Sequence, residues 1–232
     1  MIGGPRVKER LMKGLKALLP DYAFWPIAAC LCLNVFVYYF PRLLHGPGTR
    51  YYDFSLPLDH QLPLVPAFIL VYFGTYVFWY LGFALIARED PKRCEVLFGE
   101  MIAKLICGLC FFIIPTTLVR PEITGNDLFS RLTRLMYTVD RPDNLFPSIH
   151  CLENWICWRG MLGFTRPGKG WKLFYFVLML LVFASTLLLR QHVLLDIPAA
   201  MLAGEIGLFA AKKLRLGERY ARWAEGRGLL SC

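Results

Sequence analysis

The chain of 232 residues is 56% hydrophobic and 15% aromatic, with a mean hydropathy of +0.46, more apolar surface than a soluble domain of this length needs for a core. Its formal net charge of +9 does not point to nucleic acid, because the basic residues stand between long apolar runs and so suit membrane orientation and anionic lipid. Its eight cysteines do not read as a disulfide framework: Cys30, Cys32, Cys107, Cys110, Cys151 and Cys157 lie inside apolar runs, where a thiol is a small packing residue. Cys107 and Cys110 lack the second Cys or His pair that a zinc site needs, so neither metal nor other cofactor is expected.

Residues 1–21 carry Arg6, Lys8, Arg10, Lys13 and Lys16 and read as a basic interfacial segment on the cytoplasmic surface. The apolar run that follows is too long for a signal peptide and has no small-residue cleavage site, so it reads as an uncleaved first span. Runs able to cross a hydrocarbon layer of about 30 Å occur at roughly 22–40, 63–87, 94–118, 147–163, 173–189 and 192–211. The sequence therefore predicts an all-α polytopic membrane protein, with six transmembrane helices in one bundle over 22–211 and a basic cytoplasmic tail over 212–232. Spans five and six together exceed the bilayer thickness, so the chain must reverse near Arg190 and Gln191.

Eighteen Lys and Arg residues fall on the side of the termini and seven on the other, which puts both termini in the cytoplasm. The segments near 119–147 and 190 follow three and five crossings, so both belong to the opposite, non-cytoplasmic face. Titratable groups at membrane depth are costly and mark function. Three clusters converge on that face by this reading.

His192 and Asp196 stand at i and i+4. A helix starting by His192 would let the carboxylate hold one imidazole nitrogen and leave the other as a base or nucleophile. In Pro147-Ser148-Ile149-His150, proline suits the first turn of a helix whose free N–H groups, that of Ile149 among them, and Ser148 hydroxyl would hold an anion such as phosphate, with His150 as proton donor. Arg120-Pro121 supplies a planar cationic fork on a stiffened turn. Lys104, one turn after Glu100, reads as a structural pair; Glu205 as a packing or gating residue; and Tyr51-Tyr52-Asp53 with His60 as an interfacial loop bordering a lipid entrance.

These motifs resemble the type 2 phosphatidic acid phosphatase superfamily, six-helix membrane enzymes whose motifs run Lys-x6-Arg-Pro, Pro-Ser-Gly-His and Ser-Arg-x5-His-x3-Asp. The resemblance runs by motif over residues 113–198. Ile113 stands where the family has lysine, Ile149 where it has glycine and Thr186 where it has arginine; Arg190 could replace one lost cation. The form Ser185-Thr186 with Gln191-His192 and Asp196 is similar to the branch of inositol phosphorylceramide and sphingomyelin synthases. The resemblance implies catalysis by His192, His150 and Asp196, phosphate binding by Arg120, Ser148, Ile149 and Arg190, and no metal. His192 would attack phosphorus, Asp196 would hold its ring, and His150 would protonate the leaving alkoxide. The implied partner is a phosphorylated lipid in the bilayer, with hydrolysis through a phosphohistidine as the first reading. Transfer to a lipid or polyol hydroxyl and non-catalytic lipid-phosphate binding are the alternatives. An intramembrane serine protease, with Ser148 and His192, lacks the Gly-x-Ser-x-Gly setting and leaves Asp196 and Arg120 without a role.

Overall fold

A computed structural model describes residues 19–164 and 168–230. The basic residues of 1–18, and Arg166, lie outside the described residues. The described chain forms eight α-helices: α1 (Asp21–Leu44), α2 (Ile69–Ala87), α3 (Cys94–Ile113), α4 (Leu128–Val139), α5 (Ile149–Leu162), α6 (Lys169–Leu188), α7 (Asp196–Lys213) and α8 (Leu216–Gly226). Among the described residues, three short 3-10 turns lie between them and the only extended pairings are isolated bridges at Tyr52–Thr116 and Thr117–Asp143. The architecture is all-α.

Four of these segments are long and apolar enough to cross a membrane: Asp21–Leu44, Pro66–Ala87, Pro91–Ile113 and Lys169–Leu188. The other two expected spans do not stand out by that measure, for physical reasons. Helix α5 has 14 residues, which at a rise of 1.5 Å is about 21 Å, well short of the hydrocarbon thickness. Helix α7 is diluted by Asp196, Glu205, Lys212 and Lys213. Helix α5 buries Cys151, Leu152, Ile156 and Cys157 completely between its neighbours, while α7 buries Ala200, Ala203, Gly204 and Gly207 on one face and exposes Leu202, Ile206 and Phe209 on the other.

Small residues set the closest crossing. A β-carbon on Gly207 of α7 would run into the Gly99 carbonyl and lie 2.9 Å from the Ala103 nitrogen of α3, so the two backbones touch and dispersion contacts replace a hydrophobic driving force that lipid cannot supply. Within this bundle, Glu100 and Lys104 of α3 and Glu153 of α5 are buried together; Lys104 pairs with Glu100, reaches Glu153 Oε1 at 2.7 Å and donates to the Cys30 carbonyl at 2.9 Å. The Glu100–Lys104 pair is thus a three-membered ionic cluster. Glu205 joins α7 to α5: it accepts from Arg159 at 2.5 and 3.0 Å and from the Trp155 indole at 2.9 Å.

The bundle has two distinct ends. At one, the Tyr220 hydroxyl of α8 donates to the Tyr22 carbonyl, and Tyr22 donates to the Ala87 carbonyl at 3.1 Å. At the other, the loop after α1, the segment after α3, helix α4 and the α6–α7 turn gather over the start of α5. Tyr52 and Pro115, Val65 and Leu188, and Tyr137 and Leu189 are hydrogen-bonded there at 2.8–2.9 Å. Helix α4 is an element the sequence reading treated as loop: Asp127 caps it by accepting from Phe129 and Ser130 at 2.9 and 3.2 Å, and its buried face carries Ser130, Thr133 and Met136.

Candidate functional site

All three expected clusters lie at that second end. The α6 helix stops where Arg190 turns to positive φ (53°), a conformation that breaks the helical ladder. The freed Thr186 carbonyl then accepts from the N–H groups of Gln191 and His192 at 2.9 and 3.1 Å. The α7 helix begins only at Asp196, so His192 sits in a turn before it and not on its face, a correction to the expected helix start. The pairing survives because the turn folds back: His192 Nδ1 lies 2.9 Å from Asp196 Oδ2, which also accepts the Val193 N–H at 3.1 Å. A carboxylate fixed by a backbone N–H holds the imidazole with its proton on Nδ1 and leaves Nε2 as the basic nitrogen.

The α5 start differs in the same way by one position. Ser148 is the cap, its Oγ accepting the Cys151 N–H at 3.3 Å, so Pro147 precedes the cap and does not occupy the first turn. Ser148 is fully buried, and its own N–H donates to the Asp196 carbonyl at 3.4 Å, joining the start of α5 to the start of α7. Ile149 heads the helix and is buried. The His150 ring stacks on Tyr72 at 4.1 Å, meets the edges of Tyr76 and Trp79, and stands 6.2 Å from the His192 ring, centroid to centroid. Its Nε2 is buried without a hydrogen-bond partner.

Arg120 donates to the Asp140 carbonyl at 2.5 Å and to Gln191 Oε1 at 2.6 Å, and its guanidinium lies 4.7 Å from the centre of the Tyr137 ring. Burial lowers its pKa from the ordinary value, opposed by the Asp140 carboxylate. Arg190 is tethered to the Asp59 carbonyl. Ile113 is mostly exposed at the end of α3, and Thr186 is buried with its hydroxyl on the Phe183 carbonyl at 2.8 Å. No side chain at either position brings a charge to the site.

Sequence reasoning missed Asp59. This nearly fully buried carboxylate accepts the Leu194 N–H at 2.8 Å with one oxygen and the Leu56 N–H at 2.8 Å with the other, so the outer loop pins the turn that carries His192. The only local signal was Asp59 beside His60 in a loop already set aside as interfacial. Gln191 was also missed as the partner that aims Arg120, although it is next to His192.

His192 lies between two cavities. One, of about 360 Å³, is bordered by Asp53, Asp59, His60, Arg120, Arg190 and His192; the interfacial loop expected at a lipid entrance forms its wall. The other, of about 390 Å³, lies on the His150 side between α1, α2 and α4 and is walled largely by aromatic and aliphatic side chains. Among the described residues no three His, Cys, Asp or Glu side chains stand together as a metal-binding set. Comparison with known protein families, with curated proteins and with solved structures finds no match to any of them.

Proposed function

We propose that the chain is an integral-membrane lipid phosphatase of the type 2 phosphatidic acid phosphatase superfamily, with six crossings, cytoplasmic termini and its site on the non-cytoplasmic face. The observation that carries this reading is the arrangement around His192: a carboxylate on Nδ1, a second histidine whose ring centre is 6.2 Å away and whose Nε2 has no partner, and Arg120 held over the same turn. Four apolar helices support the membrane setting. The short α5 serves as a crossing because it is shielded inside the bundle, and α7 because it turns Leu202, Ile206 and Phe209 outward while its Glu205 is paired with Arg159. The Lys and Arg distribution supports the orientation.

In the reaction, His192 Nε2 attacks phosphorus, the N–P bond forms and the P–O bond to the lipid breaks. His150, which takes up a proton together with the arriving phosphate anion, gives that proton to the departing oxygen. Arg120 and the free N–H groups at the head of α5 hold the phosphoryl oxygens, and Arg190, on the wall of the same cavity as Arg120, adds charge. Water then attacks phosphorus, His150 takes its proton, the N–P bond breaks and inorganic phosphate leaves. Asp196 keeps the imidazolium oriented and charge-balanced throughout.

Transfer to an alcohol is the second reading, favoured by the presence of two cavities flanking His192 and not one. Purified protein given labelled lipid phosphates separates the readings. Acid-labile label on histidine with release of phosphate supports hydrolysis, label passed to an added alcohol supports transfer, and bound lipid with neither supports a non-catalytic lipid-phosphate receptor.

A further inference from the structure

Three residues that line the cavity on the His150 side each hold a buried polar atom that makes no hydrogen bond: Gln191 Nε2, Asn144 Oδ1 and His150 Nε2. These residues are 1%, 2% and 9% exposed. The identity of the two amide atoms is fixed by their opposite ends. Gln191 must direct its oxygen at the Arg120 guanidinium, 2.6 Å away, and Asn144 must direct its nitrogen at the Tyr38 carbonyl, 2.8 Å away, so a free N–H donor remains on the first and a free carbonyl acceptor on the second. Buried polar groups left in this state call for a ligand or solvent to complete them.

The chemistry of that ligand is bounded by what surrounds the three atoms. Among the described residues no Lys or Arg lines this cavity, and its Asp140 and Asp143 carboxylates are already paired with Arg42, so it offers no cation to a phosphate, which is drawn to the opposite cavity with Arg120 and Arg190. One donor, one acceptor and an imidazole nitrogen match hydroxyl groups, each of which donates once and accepts. Away from these atoms the walls are Val35, Phe73, Leu135 and Val139, all largely exposed on the outside of the bundle, a path for hydrocarbon from the bilayer.

We infer that this cavity binds the lipid-alcohol half of the substrate, and that it selects a lipid bearing a second hydroxyl on the carbon adjacent to the one that carries the phosphoester oxygen. The ester oxygen faces His150, the neighbouring hydroxyl donates to Asn144 Oδ1 and accepts from Gln191 Nε2, and the chain leaves past Val35 and Phe73. The inference rests on the lipid-phosphate reading for its substrate but concerns binding alone. A plain long-chain alcohol leaves both amide groups unsatisfied, and a site built to bond a hydroxyl rejects an analogue without it.

The test is isothermal titration of the full chain in detergent micelles with hexadecane-1,2-diol and with hexadecan-1-ol, empty micelles serving as baseline. The diol is expected to bind at least about tenfold tighter. Gln191→Glu keeps the oxygen on Arg120 and turns the free donor into an acceptor, so its preference should fall to within about threefold. Val35→Trp should weaken both alcohols alike. Equal affinity of the native chain for the two alcohols overturns the inference, whatever the variants do; so does a diol preference that Gln191→Glu leaves intact. A protein that prefers the diol but never forms phosphohistidine keeps this subsite and overturns the catalytic reading. One that forms phosphohistidine without preferring the diol does the reverse.

Discussion

The imidazoles of His150 and His192 stand 6.2 Å apart across the junction of α5 and the α6–α7 turn, and only His192 has a carboxylate on its ring. The asymmetry assigns them different roles. His192 is oriented by the Asp196 carboxylate on its ring, while His150 is held by aromatic stacking against Tyr72 with no protein carboxylate on it, so it carries a proton only beside an arriving phosphate anion and can then pass that proton to the leaving oxygen. His150→Ala should slow turnover of lipid phosphates by about 10²- to 10⁴-fold, with much less effect on an aryl phosphate whose leaving group needs no proton. Equal losses on both substrates, measured as kcat/KM, would remove the general-acid role.

Arg120 is aimed by three partners: the Asp140 carbonyl, Gln191 and the Tyr137 ring. A lysine keeps the charge but not the planar fork. Arg120→Lys should therefore recover only a small part of the activity lost in Arg120→Ala, a loss expected at roughly 10²- to 10³-fold in kcat/KM. Full activity in the lysine variant would mean that only the charge matters.

Asp59 acts at one remove, through the backbone of the turn that bears His192. Asp59→Ala leaves the Leu194 and Leu56 N–H groups without their acceptors, at about 1–3 kcal/mol for each that stays buried. Both thermal stability and kcat should fall, with Asp59→Asn intermediate because an amide oxygen satisfies only one of the two donors. An alanine variant with native melting temperature and native kcat would show that the turn holds itself.

The Glu100–Lys104–Glu153 cluster is remote from the cavities and fully enclosed. Lys104→Met strands two carboxylates in the core and should destabilise by about 3–5 kcal/mol. Replacing all three residues by Met, Gln and Gln should restore most of that loss, and the triple variant should keep native KM. A thermal-unfolding series in detergent, together with KM, checks both statements; a triple variant no more stable than Lys104→Met would contradict them.

Gly207 permits the contact of α7 with α3, where any β-carbon would overlap the Gly99 carbonyl. Gly207→Ala should cost about 1–3 kcal/mol through forced separation of the two helices. Gly74, which has open space around it, is the control and should tolerate alanine.

Much of this architecture was legible in the sequence because it follows from length and polarity. The apolar runs located α1, α2, α3 and α6 within a few residues, and the placement of Arg120, His150 and His192 at one end of the bundle followed from counting crossings. What was not legible depends on contacts distant in sequence. Glu153 lies 49 residues beyond Lys104, and Asp59 meets Leu194 across 135; no local pattern joins either pair. Helix α4 was within reach, since Asp127 is a capping residue followed by Phe129, Leu132 and Met136 at helical spacing. The turn before α7 was not, because i and i+4 spacing alone does not distinguish a helical face from a carboxylate that reaches back to the chain before its own helix.

The most direct measurement is to trap the phosphoenzyme. Full-length protein is incubated briefly with a radiolabelled lipid phosphate, quenched in alkali, digested and mapped. The account predicts acid-labile, alkali-stable label on His192, absent in His192→Ala and prolonged in His150→Ala, where the proton transfer that speeds its hydrolysis is lost. Phosphate release without label on His192, or label that persists in His192→Ala, would contradict it.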